Sequence, residues 1–221
     1  MTRILALETA TRACSVALLW DGECEEELRL TPNRHAEVLV PMTRELLDRA
    51  GRRYQDLDAL AFGSGPGSFT GLRIGIAVTQ GLALAAGLPV VPVSSLLALA
   101  ARVDAPRVLA AIDARMSQVY WNVYQRDAGT GAMRAIQEAR VAYPGDVRLP
   151  EAGEWMAAGS GCDAYRDELL RDDTGVTFVD GVHPHAGEIA RIAAAIYEAG
   201  GAVDAKDAAP EYVRNDIVQR R

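Results

Sequence analysis

The sequence predicts an α/β protein of two lobes, and three observations carry that expectation. Short apolar, β-branched runs alternate with stretches of helical spacing. The order hairpin, helix, strand, helix, strand is complete by residue 103, and after "VDAPR" the pattern restarts with a second hairpin. The expected lobes are therefore residues 1–103 and 104–221.

The first lobe opens on Ile4–Leu7 and Ala13–Trp20, strand-like runs joined by the polar turn "ETATR" and closed by "DGE" at Asp21–Glu23. A third strand is expected near Glu25–Leu30. In "TPNRHAEVLVPMTRELLDRAG" Val38, Met42, Leu46, Leu47 and Ala50 recur at helical spacing, with Gly51 as the stop. Pro41 should bend that helix or mark a second start. "LDALAFGSG" predicts a short buried strand running into a glycine loop, followed by a helix from about Gly71 to Ala86. "LPVVPVSS" gives the next strand, with Ser94 or Ser95 capping a helix through about Arg102. In the second lobe "VLAAID" and "QVYWNVYQ" flank "ARMS" as a hairpin, "EWMAAGSG" and "VTFVDG" read as strands, and a helix runs from about His185 to Ala199. The two similar openings suggest a duplication. The tail is expected to be ordered around Tyr212 and to fray at its Arg-rich end.

Hydrophobic residues fill 49% of the 221 positions, enough for a sizeable core. The net charge of −7 argues against a protein that grips nucleic acid by itself, because neutralising phosphates requires clustered Lys and Arg. Lys206 is the only lysine and the arginines are scattered among acids, so any RNA contact is expected through a partner. Cys14, Cys24 and Cys162 form no CxxC and no metal-ligand spacing, which fits reduced thiols and a cytoplasmic compartment. "RILALET" lacks the basic and apolar regions of a secretory signal. The longest apolar stretch is interrupted by Gln80, Gly87, Pro89, Pro92 and the Ser94-Ser95 pair, so no membrane span is expected.

"GSGPGSFTGLRIG", residues 63–75, has the look of a phosphate loop, yet neither common fingerprint fits it. No register supplies the Gly-Lys-Ser/Thr of a Walker loop. The dinucleotide pattern fails because the third glycine comes one residue late, at Gly71. What remains is a tight turn with positive φ at Gly65 or Gly67, a helix cap by Ser68 or Thr70, and close backbone approach. The helix that follows carries Gly71, Gly75, Ala77, Gly81, Ala83 and Ala85 and is apolar nearly all round. Small residues let another helix come close. It is therefore either wholly inside the fold or a subunit interface shared with the helix that begins at His35.

The signature "GSGPGSFTGLRIGIAVTQGLA", the opening "ILALETATRACSVALL", "RHAEVLVP", "IDARMSQVYW" and "APEYVRN" together resemble the TsaB (YeaZ) family over most of the chain, most densely in residues 3–123. The resemblance implies a two-lobed ASKHA fold, that of acetate kinase, Hsp70 and actin, and a non-catalytic, activating subunit. The implied partner is a TsaD-like catalytic paralogue, joined by a TsaE-like ATPase, in placing threonylcarbamoyl on the adenosine beside the tRNA anticodon. It further implies no cofactor on this chain alone, ATP and a metal used by the partner subunits, tRNA contact only through the complex, and a homodimer when the partner is missing. The paralogue's metal-binding His-x-x-x-His falls on Ser95 and Leu99 here, and neither replaces an imidazole.

On this reading the partner-binding face comprises His35, Val38, Met42, Leu46 and Ala50 from one helix and Gly71, Leu72, Gly75, Ile76, Thr79 and Leu82 from the other. The alternative is an ASKHA-type ATPase or small-molecule phosphotransferase using the interlobe cleft, with Glu8, Thr9 and Thr11 in the first turn as nucleotide-binding candidates; without a second phosphate loop or an adenosine-binding glycine pair, that turn reads instead as structural. His183 and His185 flank Pro184 at a spacing open to a metal pair, without an evident third ligand. Asp113 and Arg115 are expected to organise the second hairpin through turn hydrogen bonds and a local ion pair. Ser68 is not in a nucleophile elbow, and His35 has no triad partner in view.

Overall fold

The structure, a computed structural model, describes residues 1–31, 34–171 and 175–213. β1 (Ile4–Glu8), β2 (Ala13–Trp20) and β3 (Glu23–Leu30) form an antiparallel meander, to which β4 (Ala59–Gly65) and β5 (Val90–Ser94) add in parallel beyond β1. The sheet order is β3-β2-β1-β4-β5. Alternation decides what each face holds. Leu5, Leu7, Val16, Leu60 and Phe62 pack towards α1 (His35–Ala50) and α2 (Phe69–Ala86), burying Leu39, Met42, Leu46 and Ile76 with them. Ile4, Ala6, Ala17, Ala59 and Ala61 face the other way, against α5 (Ala186–Glu198). β1 is buried along its whole length because both its faces are covered.

The second sheet is built from β6 (Arg107–Arg115), β7 (Gln118–Arg126), β8 (Met133–Ala135), β9 (Arg140–Ala142), β10 (Trp155–Ala158) and β11 (Val176–Val179). Its order is β11-β10-β6-β7-β8, with β9 also on β7. An antiparallel pair, β6 and β7, again receives two parallel strands on the far side of its first member. This repeats the plan of the first sheet, as the restart of the pattern predicts. α4 (Ser160–Tyr165) follows β10 as α2 follows β4. Between the sheets α3 (Ser95–Ala101) buries Leu96 and Leu99 against Val108, Ala110 and Ile112. The chain is thus an α/β fold of two mixed sheets flanked by helices.

The lobe boundary needs correction. α5 and the segment behind it return to the first sheet, where Ala186, Ile189, Ala190 and Ala193 complete its core and Val203 bridges to Val90. A sheet apolar on both faces needs a second layer, and residues 1–103 supply only one. The start of α5 is fixed from outside: Ser15 Oγ accepts from the Ala186 amide at 2.9 Å and the Glu26 carboxylate from the Gly187 amide at 2.9 Å. His185, at the N-cap, makes no capping hydrogen bond of its own.

Local punctuation follows the sequence closely. α1 continues through the exposed Pro41 as one helix, and Gly51 closes it in the left-handed conformation at φ 65°. α2 begins at Phe69, earlier than the apolar spacing suggests, because Ser68 is its N-cap and accepts from the Gly71 amide at 3.3 Å. Tyr212 lies among the described residues; the Arg-rich end, residues 214–221, lies outside them.

Candidate partner interface and interlobe cleft

The glycine loop is occupied by the protein's own first turn. The Ser68 amide donates to Ala10 O at 2.7 Å, tying the loop to the β1–β2 turn, and Gly65 turns the chain at φ 104°. α2 then runs over Thr9, whose hydroxyl donates to Gly71 O at 2.9 Å. A Cβ at Gly71 would overlap the Thr9 carbonyl, and one at Gly75 would overlap Thr9 Oγ1. These glycines admit an internal turn. They are corrected as interface residues for that reason.

Glu8 and Thr9 are likewise corrected as nucleotide contacts. Glu8 has no exposed surface; Ser95 Oγ donates to Oε2 at 2.7 Å and the Ala10 amide to Oε1 at 2.5 Å. Gly63 leaves room for that carboxyl, since a Cβ there would overlap Oε2. Burial raises its pKa against the lowering effect of the Ala10 and Ser95 hydrogen bonds. Ser95 is thereby committed to this buried acid. Leu99 is in the core. Thr11 is buried too, accepting from the Ala13 amide at 3.2 Å, although it borders the cleft.

Most of the expected helical interface also points inward. Met42, Leu46, Leu72, Ile76 and Thr79 are buried, and Val38, Ala50 and Leu82 pack half-buried against the same core. Thr79 Oγ1 is returned to Gly75 O at 2.8 Å. The outer face of α2 is a different stripe, Arg73, Ala77, Gly81 and Ala85, one residue out of phase and spaced by four. Phe69, 59% exposed, and Leu84, 64% exposed, frame it. Only six of the eighteen residues of α2 are buried. The helix is long and apolar enough to cross a membrane by length and composition alone, but its inner face is committed to the lobe's core. What is left outside is an apolar, small-residue surface with one charge. The spacing was in the sequence, but only the lone charge of Arg73 marked which of two adjacent stripes faces outward.

Between the lobes lies a cleft of about 950 Å³. Arg12, His35 and the start of α2 line it from the first lobe, and Asp113, Arg115, Tyr120 and Ser160 from the second. His35 is buried, and its Nε2 has no hydrogen-bond partner among the described residues. Asp113 accepts from the Arg115 amide at 2.9 Å and pairs with its guanidinium at 3.5 Å, the hairpin role expected for both. His183 is buried, and burial, then the Arg12 charge, lower its pKa. His185 Nδ1 pairs with Glu26 at 3.1 Å. No group of three or more His, Cys, Asp or Glu side chains among the described residues is arranged to hold a metal.

Residues 29–209 match the family model described as "TsaD: tRNA N6-adenosine threonylcarbamoyltransferase". The chain is 42% identical to the Escherichia coli K12 "tRNA threonylcarbamoyladenosine biosynthesis protein TsaB", across 99% of this chain and 97% of that one. It is 35% identical to the protein of the same name from Haemophilus influenzae, across 99% and 96%. Among solved structures, "YeaZ from Pseudomonas aeruginosa" superposes with a TM-score of 0.90 at 43% identity, covering 96% of this chain and all of that one.

Proposed function

The chain belongs to the TsaB (YeaZ) family, and from that membership we propose that it serves tRNA threonylcarbamoyladenosine biosynthesis as a non-catalytic subunit that binds and activates a TsaD-like transferase. The uncovered outer face of α2 carries this reading. A helix whose apolar side is left in water across several turns is offset energetically when a second surface covers it. Ala77 and Gly81 at the centre let a partner backbone approach, while Phe69 and Leu84 supply contact area at the two ends. The loss of imidazoles at Ser95 and Leu99, and the sealing of Glu8, support a subunit whose ATP and metal chemistry resides in its partners. A TsaE-like ATPase completes the proposed assembly, tRNA is reached through it, and a weaker homodimer forms on the same face when the partner is absent.

The test is chromatography with light scattering on the chain alone and mixed with its TsaD-like paralogue, assaying ATP hydrolysis in each peak. A mixed peak, with hydrolysis confined to peaks containing the partner proteins, is the expected result. No mixed peak together with magnesium-dependent ATP loss by the lone chain overturns it in favour of the phosphotransferase alternative.

A further inference from the structure

Arg73 is the only ionised side chain on α2, and it sits on the outer face beside Ala77. Its guanidinium lies over the ring of Phe69, 3.7 Å from the centroid, and among the described residues it makes no ion pair. The exposed carboxylates of the neighbouring α1 are already engaged: Glu37 with Arg34 at 2.8 Å, Glu45 with Arg29 at 2.9 Å and Asp48 with Arg44 at 3.8 Å. An apolar docking face therefore carries one positive charge, stacked on an aromatic ring and, among the described residues, without an ion-pair partner.

That arrangement has different consequences for two kinds of partner. In a two-fold self-pairing the face meets its own copy, so two Arg73 guanidinia enter one interface while the nearby carboxylates are spoken for. Burying such charges without counter-charges opposes association. A different protein that presents small apolar residues with a carboxylate opposite Arg73 gains a charge-assisted, planar pair, with the guanidinium already positioned by Phe69. The geometry points to Arg73, stacked on Phe69, as the specificity-determining residue of the α2 face, selecting a partner surface that bears a carboxylate over a second copy of this chain. This rests on the docking role proposed above for α2.

The experiment compares wild type, Arg73→Glu, Arg73→Met, Arg73→Lys and Ala77→Arg. Each is titrated into the TsaD-like partner at about 50 and about 500 mM NaCl, and self-association is followed by sedimentation equilibrium. Loss of a desolvated charge pair is expected to weaken partner binding about ten-fold in Arg73→Met and about thirty-fold or more in Arg73→Glu, with Arg73→Lys between wild type and Met. Arg73→Met is also expected to lose the salt dependence shown by wild type and to self-associate more tightly. If Ala77→Arg abolishes partner binding while Arg73→Glu and Arg73→Met bind like wild type at both salt concentrations, the face docks the partner but Arg73 does not select it, and the inference is overturned. If Ala77→Arg binds like wild type, the docking role of α2 fails and the inference falls with it.

Discussion

Gly75→Ala and Gly81→Ala add the same methyl group to opposite faces of one helix, and the structure assigns them opposite signs. In a helix interior alanine is favoured over glycine by about 1 kcal/mol, and this applies to both. At Gly81 a Cβ meets nothing within 4 Å, so the gain survives and the variant should be more stable by about 0.5–1 kcal/mol. At Gly75 the same atom overlaps Thr9 Oγ1, whose side chain is buried and donates to Gly71 O at 2.9 Å. Clearing that overlap by shifting Thr9 costs about 1–3 kcal/mol of overpacking. Breaking its hydrogen bond leaves a buried hydroxyl unsatisfied at about 1–3 kcal/mol. With both costs incurred, less the propensity gain, Gly75→Ala should be destabilised by about 1–5 kcal/mol. Urea unfolding followed by circular dichroism reads both, with the midpoint falling for one and rising for the other. A Gly75→Ala midpoint equal to or above that of Gly81→Ala would refute the claim that the glycine signature receives the β1–β2 turn.

Two further predictions concern carboxylates with opposite pKa directions. Glu8 is raised by burial, so the native state holds its proton more tightly than the unfolded chain, and wild-type stability should fall as pH rises from the ordinary carboxylate value through the raised one. Glu8→Gln retains an acceptor for the Ala10 amide, should lack that slope in denaturation series at several pH values, and should be at least as stable as wild type at pH about 7. Glu26 is lowered: burial raises it, but the His185 and Gly187 hydrogen bonds prevail. Its contribution is present above the ordinary carboxylate value and lost as pH falls through the depressed one. Glu26→Gln should cost about 1 kcal/mol near neutrality by weakening the outside cap of α5, with the difference from wild type shrinking in acid; an undiminished difference would count against the ionic part of that cap.

Much of the fold was legible because its signals are local. Gly51 closes α1, Ser94 caps α3 and Ala13–Trp20 is a strand, each where the residues place it. The recurrence of hairpin then parallel strand was legible as a repeated pattern. The return of α5 to the first sheet was not, because a contact between Ile189 and β1 leaves no trace in local spacing. The same limit explains the interface. α2 is apolar nearly all round, so its periodicity alone does not separate the Leu72, Ile76, Thr79 stripe from the Arg73, Ala77, Gly81 stripe, and the single charge of Arg73 was the one local mark of the outer face. The "LET" turn is structural, as the lack of a second phosphate loop suggests, but an acidic residue beside two threonines leaves a nucleotide contact open until the packing of Ser95 and Gly63 shows Glu8 sealed from the cleft.

The central claim, that the outer face of α2 activates a catalytic partner, is tested most directly by the initial rate of threonylcarbamoyl transfer to tRNA by the TsaD-like enzyme and its TsaE-like ATPase, titrated with this chain or with Ala77→Arg. Ala77 is exposed, and arginine is a good helix former, so the substitution should spare the fold while placing bulk and charge at the centre of the face. The account predicts saturable activation by wild type and none by Ala77→Arg at matched concentrations. Equal activation by the two, with the variant folded, would contradict it.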